Sequence, residues 1–318
     1  MISRRLLRIK TLQVLYAFYR SDDDSLVKAE SQLSHSIRKA YDLYHFIMLL
    51  LLEIRDYNLN RIEIARQKYI PTPEDLNPNL RFVQNSVLKL LESNEGLKEY
   101  LQKHKLSWVN HREVIKNLYL KFAATDTFSQ YMNDPQPSFE KDRQILIQFL
   151  SKELLCSDDF EQSIEEQSIF WVDDLEFMVG MVVKTLKEFR EGQPPSTPLL
   201  PMYRSPDDED FAKRLLFKTI ANHKHNITTI DTHTKNWDVE RIATMDIHLM
   251  ELAITEIIDF PSIPVKVSFN EYIEISKYYS TSQSSNFING VLDKIIMHLR
   301  SQNRINKQGR GLIGEAEN

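Results

Sequence analysis

A chain of 318 residues with 42% hydrophobic and 27% charged residues is long enough for one to three domains with real cores, and its seven glycines favour helix over sheet. The net charge of −5 excludes wholesale coating of nucleic acid, so any RNA or DNA contact must be a local patch. A single cysteine, Cys156, excludes a disulfide framework and fits a reducing cytosol.

Helical periodicity runs from end to end, and no segment sustains period-two alternation, so the fold class expected is all-α. The predicted helices cover 3–20, 28–68, 78–102, 109–131, 139–156, 161–190, 207–225, 236–259, 268–279 and 285–301. The first opens on Arg4, Arg5, Arg8 and Lys10, with Asp22 the first acid. Charges interrupt its apolar run and no small-residue cleavage site follows, so it is not a leader. Arginines at a helix N-terminus face the positive end of the dipole, and Arg4 and Arg8 repel each other at i,i+4. Such a cluster is either a solvated end or the seat of an anion, with phosphate the natural candidate. Farther along, Tyr16 reads as a core ring with its hydroxyl reaching out.

Phe46 to Leu52, the longest purely apolar run, falls far short of the ~20 residues that span a bilayer, so no membrane partner is expected. Prolines break the pattern at Pro71–Pro78, at Asp134–Pro137 and most strongly at 191–210, which holds five of the twelve prolines and cannot be a helix interior. From Glu153 to Glu176 there are nine acids and no lysine or arginine. A solvated helix face accounts for them; a docking surface for a basic protein is the sharper alternative. His223, His225 and His233 lack the spacing and cysteines of a metal site and read as a polar helix end. No phosphate loop or hydrolase motif occurs, so neither cofactor nor catalytic residue is expected.

The last helix is the most informative. After a polar run, an apolar stripe of Ile288, Val291, Leu292, Ile295 and Leu299 begins, with Ser284 or Ser285 where an N-cap belongs. Asn289-Gly290 is not flanked by strand-like alternation, and the glycine there suggests a close backbone approach. Phe287 lies one residue off the stripe, so core packing and surface stacking are both open to it.

As a string, residues 287–294, Phe-Ile-Asn-Gly-Val-Leu-Asp-Lys, resemble the signature of the NusB family of bacterial transcription antitermination factors. Pro264 to Glu271 resembles the family's P-x-K-V-x-I-N-E, and Glu274 to Tyr279 its E-L-A-K-x-[FY]. Arg241, Ile242, Asp246 and Leu249 to Ile257 resemble the preceding motif, with Glu251 where the family usually has arginine. Arg4, Arg5, Arg8, Gln13, Leu15 and Tyr16 resemble its opening. The family is about half this length. The resemblance therefore implies a NusB-like helical bundle from 1–60 and 206–301, an inserted helical region with a proline-rich linker at 61–205, and a disordered tail at 302–318.

By resemblance the protein is a cytoplasmic, non-enzymatic bacterial factor. It would bind boxA-type single-stranded RNA with the small-subunit ribosomal protein NusE, and through them the RNA polymerase elongation complex, promoting ribosomal RNA synthesis. The RNA-binding residues implied are Arg4, Arg5, Arg8, Gln13, Tyr16, Ser285, Asn286, Phe287 and Asn289. Alternatives are the RNA-binding part of an rRNA-methylation system, which would need a downstream catalytic domain, and a helical adaptor whose insertion does the work.

Overall fold

The computed structural model describes residues 2–21, 25–234, 242–281 and 283–314. They form fifteen α-helices with short 3₁₀ and π turns, and no strand occurs among them, as the all-α expectation required. Asp22, Arg241, residues 236–241 of the predicted eighth helix and residues 315–318 of the predicted tail lie outside the described residues. Among the described residues no helix is long and apolar enough to cross a membrane.

The chain begins with α1 (Arg4–Arg20) and α2 (Leu26–Arg66), then α3 (Pro73–Leu76), α4 (Ser86–Ser93), α5 (Glu95–His104), α6 (Arg112–Ala123) and α7 (Asp126–Asn133). It continues with α8 (Phe139–Gln148), α9 (Asp158–Gln167), α10 (Leu175–Glu188), α11 (Pro206–Ala221) and α12 (His223–His233). The last three are α13 (Thr244–Asp259), α14 (Val265–Tyr279) and α15 (Ser284–Ser301). These helices pack as two units: residues 38–202, here unit 1, and residues 2–37 with 203 onward, here unit 2. The boundaries fall within α2, between Ile37 and Arg38, and at Met202/Tyr203.

Unit 1 is organised by aromatic side chains. Phe46, in the apolar run of α2, stacks on the fully buried Trp108 at 4.1 Å between centroids, and the Trp108 indole N–H donates to the Phe46 carbonyl. Trp171 packs on the same Phe46 and donates to the Lys39 carbonyl, so neither indole is left unsatisfied. A second cluster joins Phe82, Phe122, Phe128 and Phe149. The proline-rich segment is pinned rather than loose. Glu95 N–H donates to Pro195 O, Asn94 Nδ2 to Thr197 O and the Tyr41 hydroxyl to Leu200 O.

Several predicted helices of this unit are broken by side-chain caps. The Asn85 side chain accepts from the Val87 and Leu88 amides and starts α4, while Asn94 ends α4 and accepts from Leu97 N to start α5. Thr125 caps α7 in the same way. The expected helices 78–102 and 109–131 are thus each a series of short pieces.

Unit 2 is built around α13, which touches α1, α11, α12, α14 and α15. Eleven of its residues are buried, an all-round burial that leaves it no solvent face along that stretch. Leu249, Leu252, Ala253, Ile254 and Ile257 supply the apolar core. The tail beyond α15, expected to be disordered, is placed as far as Gly314. Gln308 N–H donates to Pro261 O, and Ile305 packs on Ile257, Val265 and Ile296. A Cβ built on Gly311 would stand 1.9 Å from Pro261 O, so only glycine fits there.

Candidate nucleic-acid interface

The three N-terminal arginines each meet a carboxylate from another helix of unit 2. Ser3 caps α1 by accepting from Leu6 N, but no acid lies in the first turn. The charge is instead balanced in three dimensions. Arg4 Nε donates to Asp208 at 2.8 Å, with its guanidinium over the Phe211 ring. Arg5 forms a two-pronged pair with Glu271, Nε to Oε2 at 2.9 Å and Nη2 to Oε1 at 2.8 Å. Arg8 does the same with Glu256 at 2.8 and 2.6 Å.

These pairs differ in exposure, and that decides what each can do. The Arg5 side chain is 51% exposed and Arg4 39%, whereas Arg8 is 3% and Glu256 fully buried. Glu256 also accepts from Ser268 Oγ at 2.7 Å and the Tyr272 hydroxyl at 2.9 Å, so both oxygens are filled. Burial works against the Arg8 charge, but the Glu256 carboxylate outweighs it and the pKa of Arg8 rises. Burial, reinforced by Glu256, lifts Tyr272 well above the ordinary phenol. The hydrogen bonds from Arg5 hold Glu271 below the usual glutamate range. Arg8 is therefore part of the interior here, while Arg4 and Arg5 stand at the surface.

Two contacts set the geometry of the edge. Arg5 reaches Glu271, and Gln13 Nε2 lies 3.4 Å from the Tyr279 hydroxyl, a weak hydrogen bond. Both pairs are separated by 266 residues, so α1 and α14 run parallel, side by side, in constant register. The edge leads to the start of α15 through a hydroxyl chain. Ser280 Oγ donates to Asp246 and lies 2.9 Å from Ser284 Oγ, and Thr281 Oγ1 lies 2.8 Å from Ser284 Oγ. Ser284, considered above as an N-cap, is the first residue of α15 and buried; Gln283 precedes it without a side-chain cap.

From there Ser285 is half-buried, Asn286 and Asn289 are exposed and Phe287 is half-buried. Gly290 is exposed, and a Cβ built on it meets no atom within 4 Å. The close backbone approach expected at Gly290 is thus absent among the described residues. Tyr16 is half-buried, its ring edge-on to His248 and under the Arg20 guanidinium at 5.4 Å. The structure therefore brings Arg5 and Gln13 together along α14, and groups Ser285, Asn286, Phe287 and Asn289 on the first turns of α15.

Sequence reasoning assigned no role to the acids that organise this edge. Glu271, Glu256 and Asp246 all sat in recognisable strings, yet Arg5, Arg8 and Ser280, which bind them, lie 34 to 266 residues away. Glu251, the departure noted above, is fully buried and accepts from both His223 Nδ1 at 2.7 Å and His248 Nδ1 at 3.0 Å. Tyr19 stacks on both imidazoles. Arg304 stands 2.6 Å from His225. The exposed ring of Tyr278, 83% accessible, is a further aromatic on α14.

Comparison with known proteins gives one matching family model and many relatives. Residues 185–297 match the model of the NusB family. A protein named transcription antitermination protein NusB from Salinibacter ruber is 44% identical over 115 residues, 36% of this chain and 72% of that protein. One of the same name from Desulfatibacillum aliphaticivorans is 32% identical over 143 residues, 45% of this chain and 91% of the relative. A third, from Chloroherpeton thalassium, is 44% identical over 106 residues, and the chain spans half of its length. No solved structure matches the chain significantly.

Proposed function

The chain belongs to the NusB family, and from that membership we propose that it is a non-enzymatic antitermination factor of the bacterial cytoplasm. It binds boxA-type single-stranded RNA together with ribosomal protein NusE, and acts on the RNA polymerase elongation complex through that pair to promote ribosomal RNA synthesis. Residues 61–205 are an insertion in a frame made by 1–60 and 206–301. The observation that carries the reading is the edge of unit 2, where exposed cationic, amide and aromatic side chains follow one another from α1 to the start of α15.

The roles follow from exposure. Arg4 and Arg5 contact phosphates, which requires each to share or exchange its carboxylate partner. Arg8 positions them, because its buried pair with Glu256 fixes α1 against α13. Phe287 offers a face for a base, while Ser285, Asn286 and Asn289 hydrogen-bond to base edges. Gln13 and Tyr16 line the path between the two ends. Unit 2 contains 20 basic and 20 acidic residues, so attraction to RNA rests on this local pattern and not on a net field.

The test is a titration of the full chain with a short boxA-type RNA, with and without NusE, across a salt series. With Arg4 and Arg5 as two phosphate contacts, the single-strand log–log salt slope should be about −1.4, at ~0.7 per contact. Phe287→Ala should weaken binding by about 1–3 kcal/mol with little change in slope or melting temperature. Equal affinity for an unrelated RNA, or no binding even with NusE, would overturn the reading. A large thermal loss in Phe287→Ala with RNA affinity intact would return that ring to the core.

A further inference from the structure

A cleft of about 390 Å³ opens in unit 1 between the 79–84 turn and the 132–142 segment. It lies outside the residues matched by the family model. Arg81 lines it and is held in place on three sides. Its backbone N–H donates to Asn79 Oδ1, its Nη1 to the Asp134 carbonyl at 2.5 Å, and its guanidinium lies 4.4 Å above the Tyr131 ring. Its other two nitrogens, Nε and Nη2, are buried and have no hydrogen-bond acceptor among the described residues, although the guanidinium also acts on the Tyr131 hydroxyl. A buried donor without a partner is costly, and more so when charged.

The carboxylates in the same walls are committed elsewhere. Asp142, itself buried, takes the Tyr131 hydroxyl on Oδ1 and the Ser86 amide and hydroxyl on Oδ2. Asp134 takes Lys141 at 2.6 Å and the Gln136 amide at 2.8 Å. What is left over is the Nε/Nη2 edge of a guanidinium, the pair of parallel donors that one carboxylate fills with both oxygens. Beside it the cleft offers the apolar surfaces of Leu80 and Met132 and the amide of Gln84.

We propose that this cleft binds a small carboxylate-bearing ligand, its two oxygens on Arg81 Nε and Nη2 and its carbon body against Leu80 and Met132. Both nitrogens are shielded from solvent, so binding includes a small shift of the Arg81 side chain. Phosphate shares the chemistry, but Asp134 and Asp142 in the walls disfavour a dianion more than a monoanion. The site is independent of the RNA-binding reading, since every residue in it belongs to unit 1.

The test follows the Arg81 Nε–H resonance of the ¹⁵N-labelled full chain while butanoate or inorganic phosphate is added at constant ionic strength. Butanoate should produce a saturable shift, with phosphate weaker by about tenfold because of the wall carboxylates. Arg81→Lys keeps a cation above Tyr131 and protects the fold, yet lacks the fork. The saturable butanoate shift of the neighbouring Gln84 side-chain amide should then weaken about tenfold. Leu80→Ser, which leaves the guanidinium in place, should weaken butanoate and spare phosphate. No saturable response to butanoate would overturn the proposal, as would an undiminished response of Gln84 in Arg81→Lys. Tighter binding of phosphate than of butanoate would overturn the ligand class.

Discussion

The two units solve the problem of polar groups in an α-helical interior in different ways. Unit 2 places carboxylates at the centre: Asp246, Glu251 and Glu256 all project from α13 and are buried. Each is met by donors from beyond α13, Arg8, His223, Tyr272 and Ser280 among them. Unit 1 buries carboxylates too, Asp42, Asp142 and Asp174, but Asp42 and Asp142 are met largely by phenols and a hydroxyl, and amides and imidazoles share that interior. Asn85 and Asn94 cap helices from within the core, and Asp42 is surrounded by Tyr100, His104 and Lys39. His45 and His104 stack on the two faces of Tyr100 at 3.6 and 4.0 Å. The charge follows the same division: unit 1 has 20 basic and 25 acidic residues and carries the whole net charge of −5. One unit is held by long-range charge, the other by stacked rings and side-chain caps, so each should fail to a different insult.

A matched pair of substitutions makes the strongest test. Arg8→Ala leaves Glu256 buried without its cation and should cost about 3–5 kcal/mol. Trp108→Ala empties the stack on Phe46 and should cost about as much, ~3–5 kcal/mol. Amide exchange monitored along the chain should show protection falling in α13 and α14 for the first and in α2 and α6 for the second. Loss of protection throughout both units in either variant would mean that they do not respond separately.

Acid should act first on unit 1. Burial lowers the His45 pKa from 6.5 to about 4, the Tyr41 carbonyl on Nδ1 only partly opposing it. The unfolded chain therefore binds a proton in the window from pH 6.5 to 4 that the folded chain refuses. Stability falls as pH falls through that window, by about 3 kcal/mol in all. His45→Phe should flatten the slope. An unchanged slope in urea unfolding, followed by exchange in α2 and α5, would remove His45 from the explanation.

The smallest effect tests the caps. Asn94→Ala removes the cap of α5 and the bond to Thr197 O, and should cost about 1–2 kcal/mol, confined to unit 1. Exchange should quicken around residues 94–97 and 195–200 while α15 stays as it was.

This contrast also explains what could be read in advance. The limits of α1, α14 and α15 were expected within three residues of those found, because their apolar stripes end at the ends of the helices. The run 78–102 was expected as one helix because Asn85 and Asn94 sit inside an unbroken apolar period. Nothing in that period reveals that their side chains turn back onto the backbone. The arginine cluster was legible as a cluster; its neutralisation was not. Asp208, Glu256 and Glu271 are ordinary acids until the fold delivers them across 204 to 266 residues. Which of three arginines is interior depends on that delivery alone.

The constant offset between α1 and α14 has a consequence for the order in which the protein is made. Unit 1 is one continuous stretch, but α1 cannot meet Glu256 or Glu271 until some 250 further residues have left the ribosome. At roughly 5–20 residues per second, that wait is on the order of 10–50 s. Throughout it Leu6, Leu7, Leu12, Val14 and Leu15 lack their final neighbours on α11, α13 and α14, while residues 38–202 have time to fold. The nascent chain thus carries α1 as an unmated apolar helix for most of the synthesis of these residues. A chaperone that binds during translation should find its site there, and should be displaced only as α13 and α14 emerge.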